Sequence, residues 1–129
     1  MPNRSIRSVM GERAPVCAPD TMKVCEAARL MKEHNIGALL VLDEQRRLTG
    51  IFTERDLMRA VAGRVHSSEA RVREWMTPDP VTMTEDASVE EAGQTMIERG
   101  FRHIPVVAGE RAVGIVSIRD VAEWRLKDR

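Results

Sequence analysis

The sequence predicts an α+β protein: two tandem βαββα units, packed sheet to sheet about a pseudo-twofold axis. Three observations predict it. First, the chain repeats itself. Pro15-Val16 recurs as Pro80-Val81, Glu26-Ala27 as Glu91-Ala92, Met31 as Met96 and Val41 as Val106, each 65 positions on. Gly50-Ile51-Phe52-Thr53-Glu54-Arg55-Asp56 then returns 64 positions on as Gly114-Ile115-Val116-Ser117-Ile118-Arg119-Asp120. Self-similarity at a fixed period is the mark of a structural unit written more than once. Second, Val24, Ala27, Ala28 and Met31, and likewise Val89, Ala92, Gly93, Met96 and Ile97, fall on one face at helical spacing. Third, each copy carries two apolar runs rich in Val and Ile, 38–42 with 48–52 and 104–107 with 113–118, which read as hairpin strands.

Each unit opens after a proline with a short apolar segment, Val16-Cys17 or Val81-Thr82-Met83, a strand at most. A helix follows. Ser88-Val89-Glu90-Glu91 is a capping-box sequence with Ser88 as N-cap, whereas Lys23 stands at the matching place in the first copy. The residue lost between the copies falls where 43–47 faces 108–111. Deletions settle in turns, so this is the hairpin connection. A second helix closes each copy, at 56–62 and 120–126, with Gly63 ending the first. The polar stretch 64–73 reads as a connection. The repeats are therefore bounded at 6–63 and 75–127, with 64–74 as linker. A unit of about 60 residues buries too little surface to stand comfortably alone. The two copies are expected to pack together, leaving a cleft on either side of their pseudo-axis. A homodimer would then cover the remaining apolar helix faces.

With 129 residues, 43% of them hydrophobic and 31% charged, the composition is that of an ordinary globular chain. Lys plus Arg equals Asp plus Glu at 20 each, so nothing pulls it toward nucleic acid or an anionic membrane over long range. The polar N-terminus argues against a signal peptide, and no run approaches the roughly 20 apolar residues of a membrane span. Cys17 and Cys25 have neither metal-knuckle nor disulfide-framework spacing. The expectation is a cytoplasmic protein with reduced thiols that serve as small core residues.

The repeated segment Gly-Ile-hydrophobic-Thr/Ser-x-Arg-Asp carries the chemistry. A strand ends, a hydroxyl residue starts a helix, and a carboxylate follows one turn on: Thr53 with Asp56, Ser117 with Asp120. Such a turn is an acceptable capping box and needs no ligand. It also suits a ligand. A helix N-terminus offers free N–H groups and partial positive charge to a phosphate, the hydroxyl can donate to the same phosphate, and the carboxylate can accept from two vicinal ribose hydroxyls. In the second copy, Arg102-His103-Ile104-Pro105-Val106-Val107 places two basic side chains beside an apolar strand, which suits an anion near a flat apolar base. Alternatively these two are a solvated strand start. The first copy has uncharged Gly37-Ala38-Leu39-Leu40 there, so the two sites should not be equivalent.

The repeat order, the Arg-His-Ile-Pro-Val-Val run and the twin Gly-Ile-x-Thr/Ser-x-Arg-Asp segments resemble a tandem pair of cystathionine-β-synthase (CBS) domains, a Bateman module. The resemblance spans nearly the whole chain. It implies a small stand-alone regulatory protein that binds AMP, ADP, ATP and, in some members, NAD or S-adenosylmethionine in the clefts between the repeats. It also implies a homodimer and a separate regulated protein. By the same resemblance, Asp56 and Asp120 are the ribose ligands, and Thr53 and Ser117 meet phosphate together with Arg102, His103, Arg55 and Arg119. Val16, Cys17, Gly37, Ala38, Leu39 and Ile51 in the first copy line the base pocket. Val81, Thr82, Met83, Ile104, Pro105 and Ile115 do so in the second. Leu40 departs from the pattern, standing where the second copy has Pro105.

No catalytic constellation assembles. His34, His66 and His103 lack metal-ligand spacing, and there is no nucleophile elbow, Walker loop or Gly-x-Gly-x-x-Gly. With no Tyr and two Phe, a single-strand nucleic-acid surface is not expected. The eight Met residues read mostly as core filler and the two Trp as core or interface residues. The expectation is a non-enzymatic module with no metal, no catalytic cofactor, and an adenine nucleotide as regulatory ligand. The alternative is a structural dimerisation module with empty clefts.

Overall fold

A computed structural model describes residues 4–10, 14–63 and 69–127. The order of elements is α1 (Ile6–Met10), β1 (Cys17–Pro19), α2 (Val24–His34), β2 (Ala38–Leu42), β3 (Leu48–Thr53), α3 (Glu54–Ala62), α4 (Val72–Trp75), β4 (Thr77–Pro78), α5 (Val89–Arg99), β5 (His103–Ala108), β6 (Arg111–Ser117) and α6 (Ile118–Lys127). It is a mixed α+β fold with two sheets, and it divides into two compact units.

The first-repeat unit, Val16–Pro80, holds a four-stranded sheet in the order β1-β2-β3-β4. β1 runs parallel to β2, and the other pairs are antiparallel. The β2–β3 turn is tied by Asp43, whose carboxylate accepts from the Arg47 amide at 2.8 Å and from Arg47 Nε at 2.9 Å. The amide bond is the main reason that carboxyl titrates below its ordinary range. α2 begins at Lys23 without a side-chain cap. Backbone substitutes for it: Val24 N–H donates to the Ala70 carbonyl at 2.9 Å, and Val72 N–H to the Met22 carbonyl at 2.8 Å. Asn35 closes α2 in the left-handed region, which Asn tolerates better than most residues. Val24, Ala27, Met31, Leu39, Val41, Phe52, Ala60 and Val72 form the core.

The stretch read as polar linker therefore contributes to this core. Ala70 and Val72 are buried, and α4 starts within it. Two apolar residues in a polar run give too weak a periodic signal to declare a helix. His66, also assigned to the linker, lies outside the described residues.

The second-repeat unit combines the described residues before Val16 with those from Val81 onward. The compact units thus differ from the linear repeats. α1, inside the first repeat by sequence, packs with α5, α6 and β6 through fully buried Ile6. Ile6 N–H donates to the Ala87 carbonyl at 2.8 Å and Val89 N–H to the Arg4 carbonyl at 2.8 Å. These bonds match those that 70–72 makes with α2. α5 is capped by the Ser88 hydroxyl, which accepts from the Glu91 amide at 3.0 Å, and it ends at left-handed Gly100. Ile97, expected on the apolar face, is 78% exposed. The helix angle carries it beyond the edge of the face defined by Val89, Ala92, Gly93 and Met96.

β5 and β6 form a hairpin of two strands. The early segment joins it only at Met83, through a single parallel bridge to Val106. Ile118, read as the strand end, is the first residue of α6. Neither cysteine is in a disulfide among the described residues, and both are half-buried. Trp124 is buried, with its indole N–H lacking a partner among the described residues.

Candidate functional site

The same geometry positions both motifs. In the second-repeat unit His103 pairs with Ser117 across the hairpin, and Ile118 N–H donates to the Arg102 carbonyl at 2.8 Å. Arg102, His103, Ser117 and Asp120 therefore meet at the open end of the hairpin, where β6 hands over to α6. In the first-repeat unit Ala38 pairs with Thr53, and Glu54 N–H donates to the Gly37 carbonyl at 3.0 Å.

Both turns are capping boxes. Ser117 N–H donates to Asp120 Oδ2 at 2.8 Å, and Asp120 N–H donates to Ser117 Oγ at 3.1 Å. Thr53 N–H donates to Asp56 Oδ2 at 2.9 Å, and Asp56 N–H to Thr53 Oγ1 at 3.2 Å. The capping requirement thus accounts for one carboxylate oxygen in each motif.

The second oxygen separates the two. No donor among the described residues reaches Asp120 Oδ1, and none of the described acceptors takes the Ser117 hydroxyl hydrogen; Asp120 is half-buried. Asp56 is 2% exposed and fully engaged. Its Oδ1 accepts from Arg59 Nη1 at 3.1 Å and from Thr77 Oγ1 at 3.2 Å, and its Oδ2 also accepts from Thr53 Oγ1 at 3.0 Å. Arg59 is itself held over the Trp75 ring, 6.0 Å from the centroid. Thr77 carries no periodic or motif signal in the sequence. It reaches Asp56 because β4 pairs with β3, setting Thr77 opposite Ile51.

The cations are likewise uneven. Arg102 is exposed and makes no ion pair among the described residues. His103 is half-buried. Arg119 is 83% exposed at its side chain and bonds Glu123 Oε1 at 3.2 Å, while Arg55 is exposed. Gly37 and Ala38 bring no charge to the first turn.

Alternation along the strands sorts the base-pocket residues. Leu39 and Ile104 are fully buried within the core clusters of their own units, whereas Leu40, equally buried, belongs to neither cluster. On the other face, Pro105 pairs with Ile115 and Leu40 with Ile51, beside Ala38. Leu40 N–H donates to the Val16 carbonyl at 3.1 Å. Pro105 has no N–H to give, so the Val81 carbonyl loses that donor. This is why the early segment is strand β1 in one unit and a lone bridge at Met83 in the other. Val16 and Val81 are half-buried and Thr82 is exposed. Burial raises the Cys17 thiol above its usual range, partly offset by the charge of Arg46.

The CBS domain family model matches residues 6–63 and 72–127. The chain belongs to the CBS domain family. It is 45% identical over 100 residues to an uncharacterized 17.7 kDa protein of Acidianus ambivalens; the match takes in 77% of this chain and 60% of that protein. Among solved structures it is similar to the CBS domain pair of protein MJ0100 in complex with 5′-methylthioadenosine and S-adenosyl-L-methionine, with a TM-score of 0.90, 28% identity, and coverage of 99% of this chain and 100% of that one. It is also similar to the CBS domain protein PAE2072 of Pyrobaculum aerophilum complexed with AMP, with a TM-score of 0.84, 26% identity, and coverage of 91% and 89%. Among the described residues, no helix is long and apolar enough to cross a membrane.

Proposed function

We propose that this chain is a non-catalytic regulatory protein that binds an adenosine-containing ligand at the strand-to-helix turn of its second repeat and passes the signal to a partner protein. The observation that carries the reading is an Asp120 Oδ1 and a Ser117 hydroxyl hydrogen that no described residue engages, with Arg102 and His103 at the same end of the hairpin. Asp120 accepts the ribose hydroxyls. Ser117, the first amides of α6, Arg102 and His103 take phosphate, with Arg119 at the rim. Pro105 and Ile115 provide the apolar wall for adenine, and the Val81 carbonyl accepts from its amino group. The two solved neighbours' ligands support this, because AMP, 5′-methylthioadenosine and S-adenosyl-L-methionine share the adenosine moiety.

AMP, ADP, ATP, NAD and S-adenosylmethionine are the ligands to try. The protein works in the cytoplasm as a homodimer, with exposed Met58, Val61, Ile97 and Leu126 available to the dimer contact. Signalling requires that ligand bind two conformations with different affinity.

A thermal-shift series with these five compounds tests the reading. A compound at a hundredfold above its Kd adds about 2.7 kcal/mol of stability, and Asp120→Ala removes the shift. Folded protein that responds to none of them contradicts it. A purely structural dimerisation module is the second reading. It is favoured by Asp56, where the same motif is wholly consumed by capping, Arg59 and Thr77. It predicts that Asp120→Ala changes stability and no ligand response.

A further inference from the structure

We infer that Thr77 is the residue that denies the first repeat a ligand, so that the chain takes one adenosine compound, at Asp120, and none at Asp56. The inference rests on the reading that the Asp120 turn binds adenosine.

A ribose is recognised by a carboxylate that accepts from two adjacent hydroxyls. Thr77 already supplies a hydroxyl of that kind, with Oγ1 at 3.2 Å from Asp56 Oδ1 and 3.4 Å from Oδ2. The chain thus presents to Asp56 what a sugar would present. Arg59 adds a charged donor on Oδ1, and the Thr53 hydroxyl spends its hydrogen on Oδ2. A bound ribose would have to displace bonds already made in a site that is almost wholly shielded from water. That exchange returns little, because each ligand hydrogen bond replaces an existing one. At Asp120 no described residue makes the equivalent bonds.

Thr77 decides the matter more than Arg59 does. The Arg59 side chain is 58% exposed and can swing to solvent, where its charge remains well hydrated. The Thr77 hydroxyl is carried by backbone that is hydrogen-bonded into the sheet edge, so it stays over Asp56. Thr77 is itself exposed, and its replacement removes a hydroxyl and a methyl without opening the core.

Equilibrium dialysis with adenosine and with AMP, on wild type, Thr77→Ala, Thr77→Ser and Asp120→Ala, tests this. Adenosine is included because the first turn has Gly37 and Ala38 where the second has the basic pair Arg102 and His103. Wild type and Thr77→Ser bind one equivalent per chain, Thr77→Ala binds two equivalents of adenosine, and Asp120→Ala binds none. The double variant Thr77→Ala with Asp120→Ala keeps one equivalent. Two equivalents on wild type, residual binding by Asp120→Ala, or Thr77→Ala holding at one would each overturn the inference while leaving nucleotide binding in place. Absence of binding in every protein would remove the parent reading, and this inference with it.

Discussion

At Asp56 the turn is closed by its own chain: Thr53, Arg59 and Thr77 donate to the carboxylate, Leu40 N–H holds the Val16 carbonyl, and no cation stands nearby on Gly37 or Ala38. At Asp120 the capping box forms in the same way, and no described residue engages Oδ1 or takes the Ser117 hydroxyl hydrogen. Pro105 removes the donor that Leu40 supplies, and Arg102 with His103 replaces Gly37 with Ala38. One duplicated motif therefore stands in two different surroundings. The cap is shared, and the neighbours decide whether a ligand can add to it.

Carboxylate removal sharpens this contrast most. Asp56→Ala removes a buried carboxylate that caps α3 and accepts from Thr53, Arg59 and Thr77, and costs about 2–3 kcal/mol. Asp120→Ala loses a cap worth about 1 kcal/mol. Urea midpoints of the two variants check this, and equal losses would break the comparison.

The glycines that precede the two motifs come next. A Cβ at Gly50 would lie 2.5 Å from Met76 Sδ and 2.9 Å from the Thr77 carbonyl oxygen, whereas at Gly114 the nearest atoms all belong to the Met10 side chain, the closest at 2.6 Å. A thioether yields and a strand carbonyl does not. Gly50→Ala is expected to cost about 1–3 kcal/mol, and Gly114→Ala clearly less, by thermal unfolding.

Pro105→Leu restores the backbone donor. It ties up the Val81 carbonyl and weakens adenosine binding by about 1 kcal/mol, the worth of one hydrogen bond; isothermal titration reads it, and unchanged affinity would exclude that carbonyl as a ligand group. The smallest effect concerns Cys17. Its thiol pKa is raised by burial, so the reactive thiolate is scarce near about pH 8. Alkylation there should lag behind an unhindered thiol and accelerate as pH rises past the usual thiol range.

The sequence already showed the repeat, both hairpins and the paired hydroxyl–carboxylate turns, because each depends on local spacing. Ser88 announced its helix, and Gly63 ended one. What escaped depends on partners distant in sequence. The start of α2 is secured by the Ala70 and Met22 carbonyls rather than by a cap, so Lys23 looked like a defect. Val72 and Ile6 are core residues of short helices whose partners lie elsewhere along the chain, and neither belongs to a periodic run. The resemblance places Leu39 and Ile104 in a pocket, but both faces of the strand are apolar, so polarity does not say which face looks inward. Thr77 was invisible because only strand pairing brings it to Asp56.

The claim on which the rest depends is that the open turn at Ser117 and Asp120 receives the ligand. An AMP titration followed by backbone amide NMR tests it most directly. The account predicts saturable shifts concentrated at Arg102, His103, Ser117 and Asp120, with Thr53 and Asp56 nearly silent. Saturable shifts centred on Thr53 and Asp56, or none at either turn, would contradict it.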